Sequence, residues 1–414
     1  MHRDPLPLPL KRQLSRGSSS KFFYLADGIA KYNEPTQTQL GALERSYTAT
    51  GQFVMESDEF RDFTMTVHAQ GSRAIGTIIR PMRFRPEGFD IDVVIRLRDA
   101  ANRKYGNDPA QLINDLHTVL KRYADMHGLV ITKWERCITL EYADGMCVDI
   151  TPIIEDPLVS ILFGNTHAKV PDRKLHLFEP SNPMGLANSF NDAARISPVF
   201  TTTKSASFTD SAVRADLQPL PDADEVLNRL LSRLVQLLKL HRNVAFGSAS
   251  DGPDFSPKSV FITSVAAAAY TLRAPIPHDS PLDLLLDIVD AMPLCFERYQ
   301  QGGTEFWMLP NLTAPGDNLA SGMNTPARQA AFMSWHTRLT GDLQLLLQCI
   351  EQREGLDTML KVVEEAFGSR AALAVRELEE PRSIAKPDRR IVTVGTAAAT
   401  TISLPARGHT FFGD

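Results

Sequence analysis

Three aspartates in strand-like surroundings are the residues of this chain best placed to do chemistry. Asp90 and Asp92 sit two apart in Phe89-Asp90-Ile91-Asp92-Val93-Val94. Residues two apart on a strand share a face, so both carboxylates emerge on one side while Ile91 and Val93 turn into a core. A solvated acidic strand would have polar neighbours; here the intervening residues belong to an apolar run. Two adjacent anions repel unless a cation lies between them. A pair of Mg²⁺ ions meets that need, with Mn²⁺ as an alternative, because hard cations take oxygen ligands and tolerate shared carboxylates. Asp149 lies in a second apolar strand, Met146-Cys147-Val148-Asp149-Ile150. If the two strands are neighbours, three carboxylates converge, and the expected chemistry is in-line phosphoryl transfer between two metals.

Phosphate binding requires donors near those acids. Gly71-Ser72 follows a predicted strand and opens a short helix. A glycine there lets the backbone approach a phosphate, and the serine hydroxyl with the helix amides can bind its oxygens. Lys239 and Arg242 lie three apart near the end of a long helix and share a face. Such a pair either complements the helix dipole or reaches across a cleft to a triphosphate. Ser259, at the start of the next apolar segment, reads alone as a helix cap and in this setting as a further hydroxyl donor.

These residues need two kinds of scaffold. Alternating or β-rich runs predict strands at 63–69, 89–97, 129–134, 137–142 and 146–153, with Ala143-Asp144-Gly145 as a hairpin turn. A helix is expected over 109–127, and a long helical region over 21–57 with Pro35 and Thr36 as an entry point. Strands are expected to stop at about residue 200. Helices are then predicted at Val226–Arg242, Ser259–Arg273, Pro281–Met292, Thr325–Glu351 and Gly355–Phe367. The predicted division is a flexible arm at 1–20, a catalytic lobe with a long N-terminal helix at 21–205, a helical lobe at 206–380 and a flexible tail at 381–414.

Bulk properties narrow the partners. The 414 residues are 43% hydrophobic and carry a formal net charge of -5, enough for a large core without the basic excess that nucleic-acid tracking requires. A small phosphorylated substrate is therefore expected, and no long nucleic acid. The four cysteines, Cys137, Cys147, Cys295 and Cys349, lack zinc-ligand spacing and read as buried free thiols. Pro5, Pro7 and Pro9 interrupt the N-terminal stretch, and no apolar run is long enough to span a bilayer. Neither a signal peptide nor a membrane association is expected, and the cytoplasm is the expected compartment.

In order and spacing, Gly71-Ser72, Asp90-x-Asp92 and Asp149 resemble the signature of the DNA polymerase β-like nucleotidyltransferases. Gly71-Ser-Arg-Ala-Ile-Gly-Thr77, Ser181-Asn-Pro-Met-Gly185 and Leu237-Leu-Lys-Leu-His-Arg242 further resemble the bacterial cGAS/DncV-like nucleotidyltransferases, or CD-NTases, over about residues 40–300. The resemblance implies an α+β fold: a two-lobed polymerase β-like core, a mixed sheet with helices, plus a C-terminal helical bundle. It implies an enzyme that joins ribonucleoside triphosphates, ATP and GTP, into a cyclic di- or trinucleotide. That messenger would act on a downstream effector in CBASS antiphage defence. Asp90, Asp92 and Asp149 would hold Mg²⁺; Gly71, Ser72, Lys239, Arg242 and Ser259 would bind nucleotide. The terminal His409-Thr-Phe-Phe-Gly413-Asp414 resembles tails conjugated by an E1/E2-like partner, with Gly413 and Asp414 at the point of attachment. Other outcomes for the same core are a linear oligonucleotide synthetase, an RNA-terminus transferase, or a non-catalytic nucleotide sensor.

Overall fold

The computed structural model describes residues 15–80, 90–142, 145–164, 166–201, 230–247 and 254–379. Thirteen helices and nine strands lie among them. The first half contributes α1 (Arg16–Tyr32), α2 (Gln37–Glu56), β1 (Thr64–Ala69), α3 (Gly71–Ala74), β2 (Asp90–Leu97), α4 (Asn102–Tyr105) and α5 (Pro109–His127). β3 (Val130–Lys133), β4 (Ile138–Glu141), β5 (Cys147–Glu155), α6 (Pro157–Phe163), β6 (Ala168–Asp172), β7 (Leu177–Ser181) and α7 (Pro183–Ala194) follow. The second half holds α8 (Leu230–Phe246), α9 (Ser259–Arg273), α10 (Pro281–Ala291), β8 (Glu297–Gln301), β9 (Thr304–Met308), α11 (Pro326–Glu351), α12 (Leu356–Phe367) and α13 (Ser369–Glu379).

The site rests on a mixed sheet. Its strands run β1-β2-β5-β4-β3, with β6 and β7 continuing from one end of β5. β2 and β5 are parallel and central, and their apolar positions explain why. Ile91, Val93 and Ile95 on β2 and Val148 and Ile150 on β5 are almost fully buried against α5, whose Leu112, Leu116, Val119 and Leu120 form one continuous stripe. Each such side chain contributes roughly 1.5–3 kcal/mol on burial, which fixes the register of the strands carrying the acids. α5 begins at a capping Asp108 followed by Pro109 and ends at Gly128, whose φ of 65° terminates the helix.

A second core gathers the helices from α8 onward. It also takes in Phe22, Phe23, Leu25, Ala26 and Ile29 of α1 and Phe190 and Ala193 of α7. Those two helices, expected in the catalytic lobe at 21–205, thus pack in the helical one. The single long N-terminal helix resolves into two, because Pro35 interrupts it and Thr36 caps α2 in a reciprocal box with Gln39. Residues 16–20, expected in the flexible arm, are the first turn of α1, capped by Ser15 through the Ser18 amide. Residues 1–14 and the tail 381–414 lie outside the described residues.

The expectation that strands stop near 200 is also corrected. β8 and β9 form a hairpin within the helical lobe, turning on Gly302 and Gly303, both at positive φ. A Gly-Gly pair is a hairpin signal, but these strands are mostly exposed and lack the alternation that marks a half-buried sheet. Among the described residues no helix is long and apolar enough to cross a membrane.

Candidate active site

The two central strands bring the acids together. In the parallel β2–β5 register Asp92 lies directly opposite Asp149, and Asp90 opposite Cys147. The backbone sets Asp90 two residues before Asp92 at the head of β2. Among the described side chains no group of three or more His, Cys, Asp or Glu gathers around a metal position, so the pair defined here is Asp92 with Asp149. Asp92 is held well above the ordinary carboxylate range, to about 6, first by burial and then by repulsion from Asp149, with Lys239 opposing. Burial likewise raises Asp149, against a hydrogen bond from Thr139 that stabilises the charged form. Two adjacent carboxylates, both raised by burial and one of them also by its neighbour, are oxygen donors short of positive charge. That donor set fits a hard divalent cation.

Gly71 closes over this pair. Its amide neighbour Gln70 donates to the Asp92 carbonyl at 2.8 Å, locking the end of β1 to β2. Gly71 has a φ of 58°, and a Cβ built on it would stand 2.1 Å from Asp92 Oδ2. Both facts require glycine, for conformation and for space. The expected strand, turn and short helix are therefore present, with Ser72 in the first turn of α3.

From the helical lobe, Lys239 reaches across to the segment after α3. Its Nζ donates to Thr77 Oγ1 at 2.9 Å and to the Thr77 carbonyl at 3.2 Å. Burial pushes Lys239 down to about 7, aided by Arg242 and opposed by Asp92. Arg242 follows a different course. It donates to the Pro257 carbonyl at 2.7 Å, Ser259 Oγ at 3.0 Å and Asn243 Oδ1 at 2.8 Å. The expected cation pair is thus divided: Lys239 faces the acids, while Arg242 organises the approach to α9. Ser259 is not the cap of α9. Lys258 occupies that position and Ser259 is the first helical residue, accepting from Arg242.

Gly71, Ser72, Asp92, Asp149, Lys239, Arg242 and Ser259 all line one cleft of about 1590 Å³. An apolar wall that includes Ile75, Leu186, Phe190 and Leu309 flanks them, suited to a flat heterocycle beside a phosphate chain. Gly413 and Asp414 lie outside the described residues.

Several contributors went unseen in the sequence. Thr77 joins the lobes through Lys239 and had no motif to mark it beyond closing Gly71–Thr77. Thr139 and Trp134 stand behind Asp149, with Trp134 Nε1 donating to Thr139 Oγ1 at 2.8 Å. Cys137 lies near the acids, its thiol pushed up to about 12 by burial and by Asp149 and Asp92. Cys137 and Cys147 are partly exposed, unlike the buried Cys295 and Cys349. The Ser181–Gly185 motif proves to be a helix start. Asn182 caps α7 by accepting from the Gly185 amide at 2.9 Å, and its amide nitrogen donates to the Thr313 carbonyl at 2.7 Å.

Comparison with known proteins places the chain among similar sequences and folds. Residues 26–193 match the family profile of SMODS, the Second Messenger Oligonucleotide or Dinucleotide Synthetase domain. Over 189 residues the chain is 26% identical to the cyclic dinucleotide synthase CdnG of Bradyrhizobium diazoefficiens, a match covering 44% of this chain and 43% of that relative. The matched region thus spans less than half of the curated relative's length. The solved structure of CdnG in complex with GTP superposes with a TM-score of 0.58 at 17% identity, covering 86% of this chain and 98% of that one. CdnC of E. coli MS115-1 with ATP gives 0.51 at 13% identity, covering 84% and 97%. At these identities the structures carry the fold, which is the two-lobed nucleotidyltransferase fold of paired strand and helical lobes. The SMODS match adds that residues 26–193 are similar to second-messenger nucleotide synthetases, and the wider chain shares its fold with the solved CD-NTase structures.

Proposed function

We propose that this chain is a nucleotidyltransferase that joins ribonucleoside triphosphates into a cyclic di- or trinucleotide signal, and that it serves antiphage defence as a CBASS synthase. The observation that carries the reading is the Asp92–Asp149 register pair set against Gly71, in a cleft whose opposite wall supplies Lys239. An acidic pair alone suits many cations, and a glycine turn alone suits many loops. Together with a buried lysine they suit a polyphosphate bound through metal ions.

Each residue then has a task. Asp92 and Asp149, with Asp90 at the head of β2, would hold two Mg²⁺ ions; when bound, these supply charge neutralisation at the triphosphate and lower the pKa of an attacking hydroxyl. Gly71 lets the main chain lie against the phosphates, and Ser72 contributes its hydroxyl and amide. Lys239 places a cation at the triphosphate side of the cleft and holds Thr77, so that α3 and α8 keep a fixed separation. Ser259 and Arg242 shape the rim from which the terminal phosphates are reached. In the transfer itself, a ribose hydroxyl oxygen forms a bond to an α-phosphorus as the bond to pyrophosphate breaks, and the hydroxyl proton is lost. A second transfer within the linear product would close the ring. CdnG was solved with GTP and CdnC with ATP, which supports these two nucleotides as the first to try.

The test is incubation of the full chain with all four ribonucleoside triphosphates and Mg²⁺, followed by phosphatase and mass spectrometry. A phosphatase-resistant product without terminal phosphates supports the cyclic assignment. A product that phosphatase shortens identifies a linear synthetase, and no phosphodiester product in either Mg²⁺ or Mn²⁺ removes the enzymatic reading.

A further inference from the structure

Asp149 is flanked by a row of side chains that runs across the sheet. Thr139 on β4 is its direct partner in the antiparallel β4–β5 register, as Asp92 is its partner on β2. Thr139, Asp149 and Asp92 therefore lie side by side on three adjacent strands. Trp134 follows β3 in the short β3–β4 connection, whose Trp134 amide donates to the Cys137 carbonyl at 2.9 Å.

The direction of the hydrogen bonds in this row follows from chemistry. An indole Nε1–H can only donate, so at 2.8 Å Trp134 must give its proton to Thr139 Oγ1. Thr139 has one hydroxyl proton, and its other polar neighbour is Asp149 Oδ1. A carboxylate can only accept, so that proton goes to Asp149. The two bonds form a one-way chain, Trp134 to Thr139 to Asp149, in which each donor fixes the rotamer of the next. Thr139 is only 8% exposed, whereas Trp134 is 54% exposed. Burial stabilises so exposed a residue little, and its polar edge is the anchored part.

We propose that Trp134 and Thr139 are positioning residues for metal binding by Asp149. By committing Oδ1 to Thr139 they set the plane of the carboxylate and leave Oδ2 to meet a divalent cation shared with Asp92. The proposal rests on the metal-binding role proposed above for the acidic pair, and it adds two residues outside that motif. Partners that orient a metal-binding carboxylate typically change metal affinity by about 10–100-fold when removed.

The test is Mn²⁺ binding to the full chain by electron paramagnetic resonance, with no nucleotide present. Thr139→Val keeps the shape and removes the hydroxyl; we expect its Mn²⁺ affinity to fall about 10-fold or more. Thr139→Ser restores the donor and should bind within about 3-fold of the parent, which a purely packing role for the methyl group would not produce. Trp134→Phe, at a half-exposed position that leaves the fold intact, should weaken Mn²⁺ by a smaller factor of about 2–5 through loss of one hydrogen bond. It therefore reports even if Thr139→Val fails to fold. Trp307 and Trp335 are buried, so Mn²⁺ should also alter the exposed Trp134 emission, and this change should vanish in Asp149→Asn. Parent-like Mn²⁺ affinity in Thr139→Val, or in Trp134→Phe if the former is unfolded, overturns the proposal. Asp149→Asn separates the two levels. If Asn there leaves Mn²⁺ binding intact, the metal role of the acidic pair fails; if it abolishes binding while the Thr139 and Trp134 variants bind normally, only the positioning role fails.

Discussion

The two walls of the cleft are built on opposite plans. On the strand side, short aspartates project from paired backbones, and their spacing is set by sheet register: Asp92 and Asp149 face one another because β2 and β5 are parallel neighbours. Burial raises the pKa of both, and at Asp92 repulsion from Asp149 adds to it. On the helical side, Lys239 and Arg242 are long and flexible, and each is held by hydrogen bonds, to Thr77 and to the 257–259 segment respectively. One wall is rigid by backbone and deficient in positive charge. The other gains rigidity only through its side-chain partners, so substitutions there should cost less and be more readily offset.

This contrast is breakable. The largest effect is expected at the acids: Asp92→Ala or Asp149→Ala should lower nucleotide joining by about 10³-fold or more, since charge stabilisation worth several kcal/mol is lost. Retained turnover in mass-spectrometric assays would show that the strand wall does not hold the chemistry. Gly71→Ala comes next. Its Cβ would collide with Asp92 Oδ2 and its backbone would be strained at positive φ, so we expect roughly a 10²-fold loss in kcat/KM with a melting temperature lowered by only a few degrees. Were the Ala variant fully active, the close approach of turn and acid would be dispensable.

The helical wall should respond more mildly. Lys239→Met removes a charged donor to the phosphate and to Thr77, and KM for the triphosphate should rise about 10–100-fold, as charged hydrogen bonds of ~1.5–3 kcal/mol imply. Titration of nucleotide by calorimetry checks this. Arg242→Ala is the smallest: neutral partners at Pro257, Ser259 and Asn243 lose about 0.5–1.5 kcal/mol each at most, and a KM rise of only about 2–10-fold is expected. An Arg242→Ala loss equal to that of Asp92→Ala would erase the difference between the walls.

What was legible before the structure follows the same division. The acidic strands, α5 and the α9 span were readable because burial imposes a period of two or 3.6 on neighbouring residues, and Thr36 at the entry to α2 announced itself as a cap. The hairpin at 297–308 escaped because its strands are largely exposed and carry no alternation. α13, with only Ala371, Ala374 and Val375 buried, escaped because its stripe is short and it packs against α1 from the far end of the chain. Residues 16–20 looked like linker because Gly17 and three serines form helix only when Phe22 and Leu25 have a core to enter.

Within the site, the chemistry-bearing residue types and their order were set by the amino-acid sequence alone. Local spacing decides which face of a strand a carboxylate occupies, and a glycine-serine turn after a strand has few conformations. Pairing decided the rest. That Asp149 stands beside Asp92, that Thr139 and Trp134 stand behind it, and that Lys239 and Arg242 take separate partners all depend on pairings between residues 5 to 162 apart in the chain. No local propensity encodes a strand's neighbour; that choice is made by burying two apolar faces at once, and it exists only in the folded chain.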